Sequence, residues 1–288
     1  MLRALRELEP GLPLAVVSAA PEWLFRRELG EPLVFRRRAC DVGLAQRGAL
    51  EIDEPGTVRA WQAFAAGWEQ LVREEAEWLR ASGARAVLAD IPPTACLAAA
   101  RAGLPAVALA NFSWDWIYRH YAGREPVLGQ AAEACRAAYA GTQLLLRLPF
   151  AGDLSAFPRI LDVGLVARRP RLSRREARGR LGWDERPAVL LSFGGLGLPG
   201  FDPACLAPLT AYRFVLPGRL AGAPANVEAA DEARLTSAGL GFADLVAAVD
   251  VVVSKPGYGI VTDCIGAGST LSASALGESS RIAESHRW

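Results

Sequence analysis

The residues best suited to chemistry lie near the carboxyl end, in Ser254-Lys255-Pro256-Gly257-Tyr258-Gly259, with Asp263 one helical turn further on. Before them, Val251-Val252-Val253 is a β-branched run of the kind that forms a buried parallel strand, and from residue 260 the chain reads as a helix. Residues 254–259 are therefore a strand-to-helix turn. Gly257 and Gly259 let the backbone approach a ligand closely, and the N–H groups of Gly257, Tyr258 and Gly259 lie where a helix presents the positive end of its dipole. That is a seat for a phosphate. Lys255, the only lysine in the chain, adds a compact positive charge beside it. The same residues would equally make a tight turn whose glycines serve packing alone.

A second glycine-rich stretch, Gly194-Gly195-Leu196-Gly197, follows the buried run 187–193. It lacks the GxGxxG spacing of a dinucleotide fingerprint and the lysine of a P-loop. Two such loops at the ends of parallel strands in one domain nevertheless suit a diphosphate better than either does alone. A separate polar set, Asp90, Asn111, Ser113 and Asp115, falls at the ends of two earlier strands, where ligands of open α/β sheets collect. These groups could bind a hydroxylated substrate, with Trp114 and Trp116 stacked on a sugar face. Asp90 and Ser113 are also ordinary helix-capping types, and the tryptophans ordinary packing.

The elements that must position these groups alternate along the chain. Residues 1–9 read as the last turns of a helix leading into a strand at 14–18; a second helix covers 20–29, and 33–36 suits an edge strand. A long amphipathic helix spans 57–81, with Trp61, Phe64, Trp68, Leu71, Val72, Trp78 and Leu79 along one face. Strands at 86–90 and 104–109 enclose a helix at 94–102, which makes a right-handed βαβ unit. Helix at 133–139, strand at 143–148 and an apolar run at 162–166 follow. The arginine-rich, proline-broken segment 167–175 ends in Ser173 with Glu176 three residues on, a capping box, and marks a domain boundary. The expected class is α/β with two Rossmann-like domains, residues 1–167 and 168–288.

Composition narrows the partners. A chain of 288 residues, 51% hydrophobic, buries large cores, and a net charge of +1 provides no field for nucleic acid or an anionic membrane. Five cysteines without CxxC spacing and two distant histidines argue against a disulfide framework and against a metal site, and fit a reducing cytoplasm. No apolar run is long enough for a transmembrane segment, and the amino terminus lacks a signal-peptide core.

Ser254-Lys255-Pro256-Gly257-Tyr258-Gly259 with Asp263, and Gly194-Gly195 upstream, resembles the nucleotide-sugar half of glycosyltransferases of the GT-B type, family 28 in particular. Asp90-Ile91-Pro92-Pro93, the stretch from Asn111 to Tyr118 and the loop Asp41-Val42-Gly43-Leu44 look like a group of bacterial glycosyltransferase-like proteins that resembles the amino-terminal part of plant arabinokinase. The resemblance implies transfer from a nucleoside diphosphate sugar, a UDP-sugar, held in the carboxyl domain to an acceptor held in the amino domain. It assigns Ser254, Lys255, Gly257, Tyr258 and Gly259, with Gly194 and Gly195, to the diphosphate, and Asp263 to the ribose hydroxyls. Asp90, Asn111, Ser113, Trp114 and Asp115 go to the substrate side. No metal or other cofactor is required, because a helix end and Lys255 can neutralise the leaving diphosphate. No catalytic residue is assigned. Relatives begin with a strand and a Ser-Gly-His-Gly-Phe-Gly-His loop absent here, and the serine-rich stretch from Ser269 lacks β character, so truncation at both ends is expected. Two alternatives follow: a nucleotide-sugar-binding fragment or module without turnover, and a UDP-sugar epimerase of the same architecture.

Overall fold

Every named strand pairs in parallel, as short apolar runs separated by helices require, because a parallel connection needs a crossover. The computed structural model describes residues 2–48, 51–194, 200–218 and 222–273. Two units emerge: residues 1–45 with 54–164, and residues 46–53 with 165–288.

The first unit runs α1 (Leu2–Leu8), β1 (Leu14–Ser18), α2 (Glu22–Leu29), β2 (Leu33–Arg37), α3 (Glu54–Ala81), β3 (Val87–Ala89), α4 (Pro93–Ala102), β4 (Ala106–Ala110), α5 (Trp114–Tyr121), α6 (Pro126–Tyr139), β5 (Leu144–Arg147) and β6 (Ile160–Asp162). Its strands form two sheets, β1-β2 and β3-β4-β5-β6. The long helix α3 buries Trp61, Val72, Ala76 and Leu79, and Trp61 meets Trp68 edge-on at 5.6 Å. The Trp68 indole N–H donates to the Thr94 hydroxyl at 2.9 Å, which ties α3 to the start of α4. The last strand of this unit lies earlier than the apolar run 162–166 suggests. β6 is set by pairing of Ile160 with Leu145 and Leu161 with Leu146, and that register ends it at Asp162.

The second unit runs α7 (Arg174–Leu181), β7 (Ala188–Leu191), β8 (Arg213–Leu216), β9 (Val227–Ala229), α8 (Glu232–Ser237), α9 (Phe242–Ala248), β10 (Val251–Ser254), α10 (Tyr258–Ala267) and β11 (Thr270–Ala273). One sheet holds its strands in the order β11-β10-β7-β8-β9. Leu190, Val215 and Val252 from three of these strands, with Leu245, Val246 and Val249, are wholly buried. Each such side chain removed from water contributes about 1.5–3 kcal/mol. Ser173 and Glu176 form the capping box reciprocally: Ser173 N–H donates to Glu176 Oε2 at 2.9 Å and Glu176 N–H to Ser173 Oγ at 3.3 Å. The polar stretch expected to lack β character contains β11. Thr270 to Ala273 pair in register with Val251 to Ser254, so main-chain hydrogen bonding to β10 makes the strand where side chains give no signal. Residues 274–288 lie outside those described.

Candidate functional site

In the second unit, β7 and β10 are parallel neighbours with Val253 opposite Leu191, so the glycine loops that follow them leave the same end of the sheet. The two loops are tied together. Ser192 N–H donates to the Val253 carbonyl at 2.9 Å, and the Ser254 hydroxyl donates to the Ser192 carbonyl. Beyond this tie the chain turns through Pro256 into α10, and Gly257 N–H folds back onto the Lys255 carbonyl at 2.8 Å. The seat therefore differs from the expected one by a residue. Among the described residues the N–H groups of Tyr258, Gly259 and Ile260, the first turn of a ten-residue helix, have no acceptor, whereas that of Gly257 does. Gly194 has φ +80, a left-handed angle that favours glycine, at the exposed end of the β7 loop. Gly195 lies outside the described residues.

The backbone explains why the α10 glycines matter. Gly257 has φ −89 and ψ 144, extended angles open to any residue. Among the described residues, a Cβ built on Gly257 or on Gly259 meets no heavy atom within 4 Å. Neither strain nor packing calls for glycine at these two positions. Among the described residues, what their glycines leave is open space over N–H groups without an acceptor, the arrangement that binds an anion.

Two residues assigned to this seat have other partners. Ser254 is buried, with its hydroxyl proton on the Ser192 carbonyl. Asp263 is 2% exposed, and Arg168 Nε lies 3.2 Å and 3.1 Å from its two carboxylate oxygens, with Nη2 also on Oδ2. A carboxylate so placed holds the segment before α7 onto α10 and is not presented to ribose hydroxyls. The Tyr258 hydroxyl accepts from Val166 N–H at 3.5 Å, so its ring points back along its own unit.

In the first unit the loops after β2, β3, β4 and β5 supply the polar residues. Ser113 and Asp115, expected to touch substrate, are buried at 0% and 1% exposure; the Ser113 hydroxyl donates to Asp115, which Arg119 and Arg136 flank at 3.6 Å and 3.5 Å. Both side chains are buried against each other at the start of α5. Trp114 is committed too. Its ring stacks on Tyr118 (centroids 5.7 Å, 22°), and its indole N–H donates to Asp41 at 2.9 Å. A Cβ on Gly43, at φ +67, would stand 3.2 Å from the Trp114 ring, so both angle and space require this glycine. Trp116 packs against Gly152, where a Cβ would come within 2.9 Å of the ring.

Asp90 remains open. Its side chain is exposed and has no hydrogen-bond donor among the described residues. Partial loss of hydration raises its pKa, and the negative charge of Asp41 raises it further. The next residue, Ile91, is buried with φ +64, an angle rare for a β-branched side chain and a form of strain that clusters at functional sites. Tyr139 holds it there by donating its hydroxyl proton to the Ile91 carbonyl at 2.8 Å. Asn111 is half-buried, its main-chain carbonyl accepting from Gly152 N–H at 2.9 Å. Asp41 was not among the expected site residues. The signal for it was the Gly43 turn two residues on, but no spacing rule connects position 41 with position 90. Its own pKa is raised by burial, against which the Trp114 donation acts.

Among the described residues no group of three or more His, Cys, Asp and Glu side chains could hold a metal ion, and no helix is long and apolar enough to cross a membrane.

No family model matches the sequence. L-arabinokinase of Arabidopsis thaliana is 33% identical over 273 residues, 88% of this chain, and the chain spans about a quarter (24%) of that protein. Among solved structures, UGT2 of Phytolacca americana, complexed with UDP-2-fluoroglucose and pterostilbene, superposes with TM-score 0.61 at 10% identity, covering 98% of this chain and 78% of that one. UGT89C1 of Arabidopsis thaliana, complexed with UDP-L-rhamnose, gives 0.58 at 14% identity over 94% and 74%. The glycosyltransferase of kitacinnamycin gives 0.59 at 16% identity over 96% and 77%. These likenesses establish the fold as GT-B.

Proposed function

We infer that this chain, which has the GT-B glycosyltransferase fold and resembles L-arabinokinase over 273 residues, binds a nucleoside diphosphate sugar in its second unit and serves transfer of the glycosyl group to an acceptor hydroxyl. The observation that carries the reading is the first turn of α10, where N–H groups without an acceptor among the described residues meet the faces of Gly257 and Gly259, which no described residue fills. The complexes of UGT89C1 and UGT2 with UDP-sugars support UDP as the nucleotide.

In the reaction the acceptor oxygen bonds to the anomeric carbon while the bond from that carbon to the diphosphate breaks. The electron pair leaves with the diphosphate, and the acceptor proton goes to a base. Fixed N–H dipoles and Lys255 stabilise the charge that develops on the leaving group; one such donor contributes about 2.7–4 kcal/mol in comparable oxyanion sites. This accounts for leaving-group stabilisation without calling on a metal ion. On the acceptor side Asp90 has a carboxylate with no donor among the described residues and a raised proton affinity, both of which a general base needs. All five cysteines are free, which fits a reducing cytoplasm.

Calorimetric titration with UDP, UMP and uridine tests the reading. Affinity should fall in that order as phosphates are removed, and Gly259→Val should abolish the difference between UDP and uridine. Equal affinity of wild type and variant for UDP removes the seat from α10. Product analysis of a UDP-sugar with and without added acceptor alcohols then separates transfer, which needs the acceptor, from epimerisation, which does not.

A further inference from the structure

Besides Ile91, Phe150 is the other non-glycine side chain with a positive φ among the described residues, at +61. For a bulky residue that angle is an outlier, whereas glycine adopts it freely. The loop around it is fastened on both sides: Leu148 N–H donates to the Ala110 carbonyl and Gly152 N–H to the Asn111 carbonyl, each at 2.9 Å. Phe150 takes the strained angle within the three residues that close this span. It is 36% exposed and stands outside the buried core, so core packing does not account for the ring. Strain of this kind collects at ligand clamps.

Phe150 lines a cavity of about 340 Å³ at the carboxyl ends of β5 and β6, together with Arg147, Leu148, Pro149, Asp162 and Val163. Sites for small ligands begin at about 300 Å³, and ligands of open parallel sheets gather at this end of the strands. The polar wall is a single ion pair. Arg147 and Asp162 are register partners, and Arg147 Nε and Nη2 lie 2.5 Å and 2.8 Å from the two carboxylate oxygens. The Arg147 guanidinium holds the Asp162 carboxyl below its usual value, so both groups are charged at neutral pH and offset each other. Arg147 Nη1 has no acceptor among the described residues, and each carboxylate oxygen keeps a lone pair. A hydroxyl can accept from the first and donate to the second. A ligand with a net charge meets as much repulsion as attraction.

We propose that this cavity is a saccharide site, in which the C–H face of a neutral sugar ring lies on Phe150 and adjacent hydroxyls bridge the Arg147–Asp162 pair. The aromatic ring covers the apolar face of the sugar, and the planar guanidinium fork fixes the direction of the hydroxyls. The proposal goes beyond the transfer reading, which requires a hydroxyl without saying what carries it, and it does not rest on the donor seat of the second unit.

The test is an amide NMR titration of the full chain, without UDP, against D-glucose, D-galactose and D-xylose, with cyclohexanol and D-glucuronate as controls. At least one of the three sugars should shift the amides of Arg147, Phe150 and Val163 saturably, and both controls should bind more weakly. Phe150→Ala should weaken sugar binding about tenfold while amides outside the loop stay in place. Arg147→Lys, which keeps the charge and loses the fork, should weaken it similarly. Absence of saturable shifts with all three sugars overturns the proposal, as do shifts that both substitutions leave unchanged. Tighter binding of glucuronate would make this an anion site and equal binding of cyclohexanol an apolar one, and either result overturns the saccharide assignment.

Discussion

Arg168 binds both carboxylate oxygens of Asp263 with its guanidinium and reaches Oδ1 with its main-chain N–H at 3.3 Å, across 95 positions of sequence. Asp263 is buried, whereas the Arg168 side chain is 60% exposed. The exposed partner limits the value of the pair, because solvent screens it, but removing the acid strands several donors.

Asp263→Ala should therefore destabilise the protein by about 1–3 kcal/mol and leave any preference for UDP over deoxy-UDP unchanged. Urea denaturation and paired calorimetric titrations measure the two. A variant of wild-type stability that loses the ribose preference would return Asp263 to the ligand.

Gly259→Ala should separate binding from folding. The position is in the first turn of α10 with room for a methyl group, so stability should hold or rise by up to about 1 kcal/mol. UDP binding should weaken, because the methyl occupies the space above the free N–H groups. Unchanged UDP affinity at unchanged melting temperature would show that nothing approaches that face.

Tyr139→Phe should expose the strain at Ile91. Loss of one buried hydroxyl donation leaves the Ile91 carbonyl unsatisfied, at a cost of about 1–3 kcal/mol. Ile91 then has less reason to keep its left-handed angle, and the Asp90 carboxyl next to it should change its titration midpoint. If stability falls and Asp90 titrates as before, the contacts of the Ile91 side chain hold the turn without Tyr139.

Acid sensitivity should reside in part in Asp244. Burial pushes its pKa up, but the N–H groups of Gly241 (2.8 Å), Arg171 (2.6 Å) and Leu172 (3.2 Å) outweigh that and leave it below the ordinary value. A carboxyl with a lower pKa folded than unfolded contributes fully above the unfolded value, about 3.9. That contribution is lost as pH falls through the folded value. Asp244→Asn should cost about 1–3 kcal/mol at pH 7, and the gap between wild type and variant should narrow below pH 4 in denaturant titrations.

The α/β class, the long helix α3 and the capping box at Ser173 were legible because each is a local property: β-branched runs, a 3.6-residue period, and a serine and glutamate three positions apart. The motif from Ser254 to Gly259 likewise announced a strand, a turn and a helix start, and with the Asp90 and Asn111 stretches it pointed to the GT-B fold. Hydrogen-bond partners are not local. Nothing in the sequence tells that Asp263 is taken by Arg168, that Ser254 bonds the Ser192 carbonyl, or that Ser113 and Asp115 are buried against each other. A polar residue at a strand end faces either a ligand or its own protein, and only the packed neighbours decide which. The strand β11 escaped notice for a related reason, since its order comes from the backbone of β10 and not from its own side chains. What sequence determined was where the chain could offer N–H groups and carboxylates; tertiary structure decided which of them remain unbound, because each contact made within the protein takes a donor or acceptor away from the ligand.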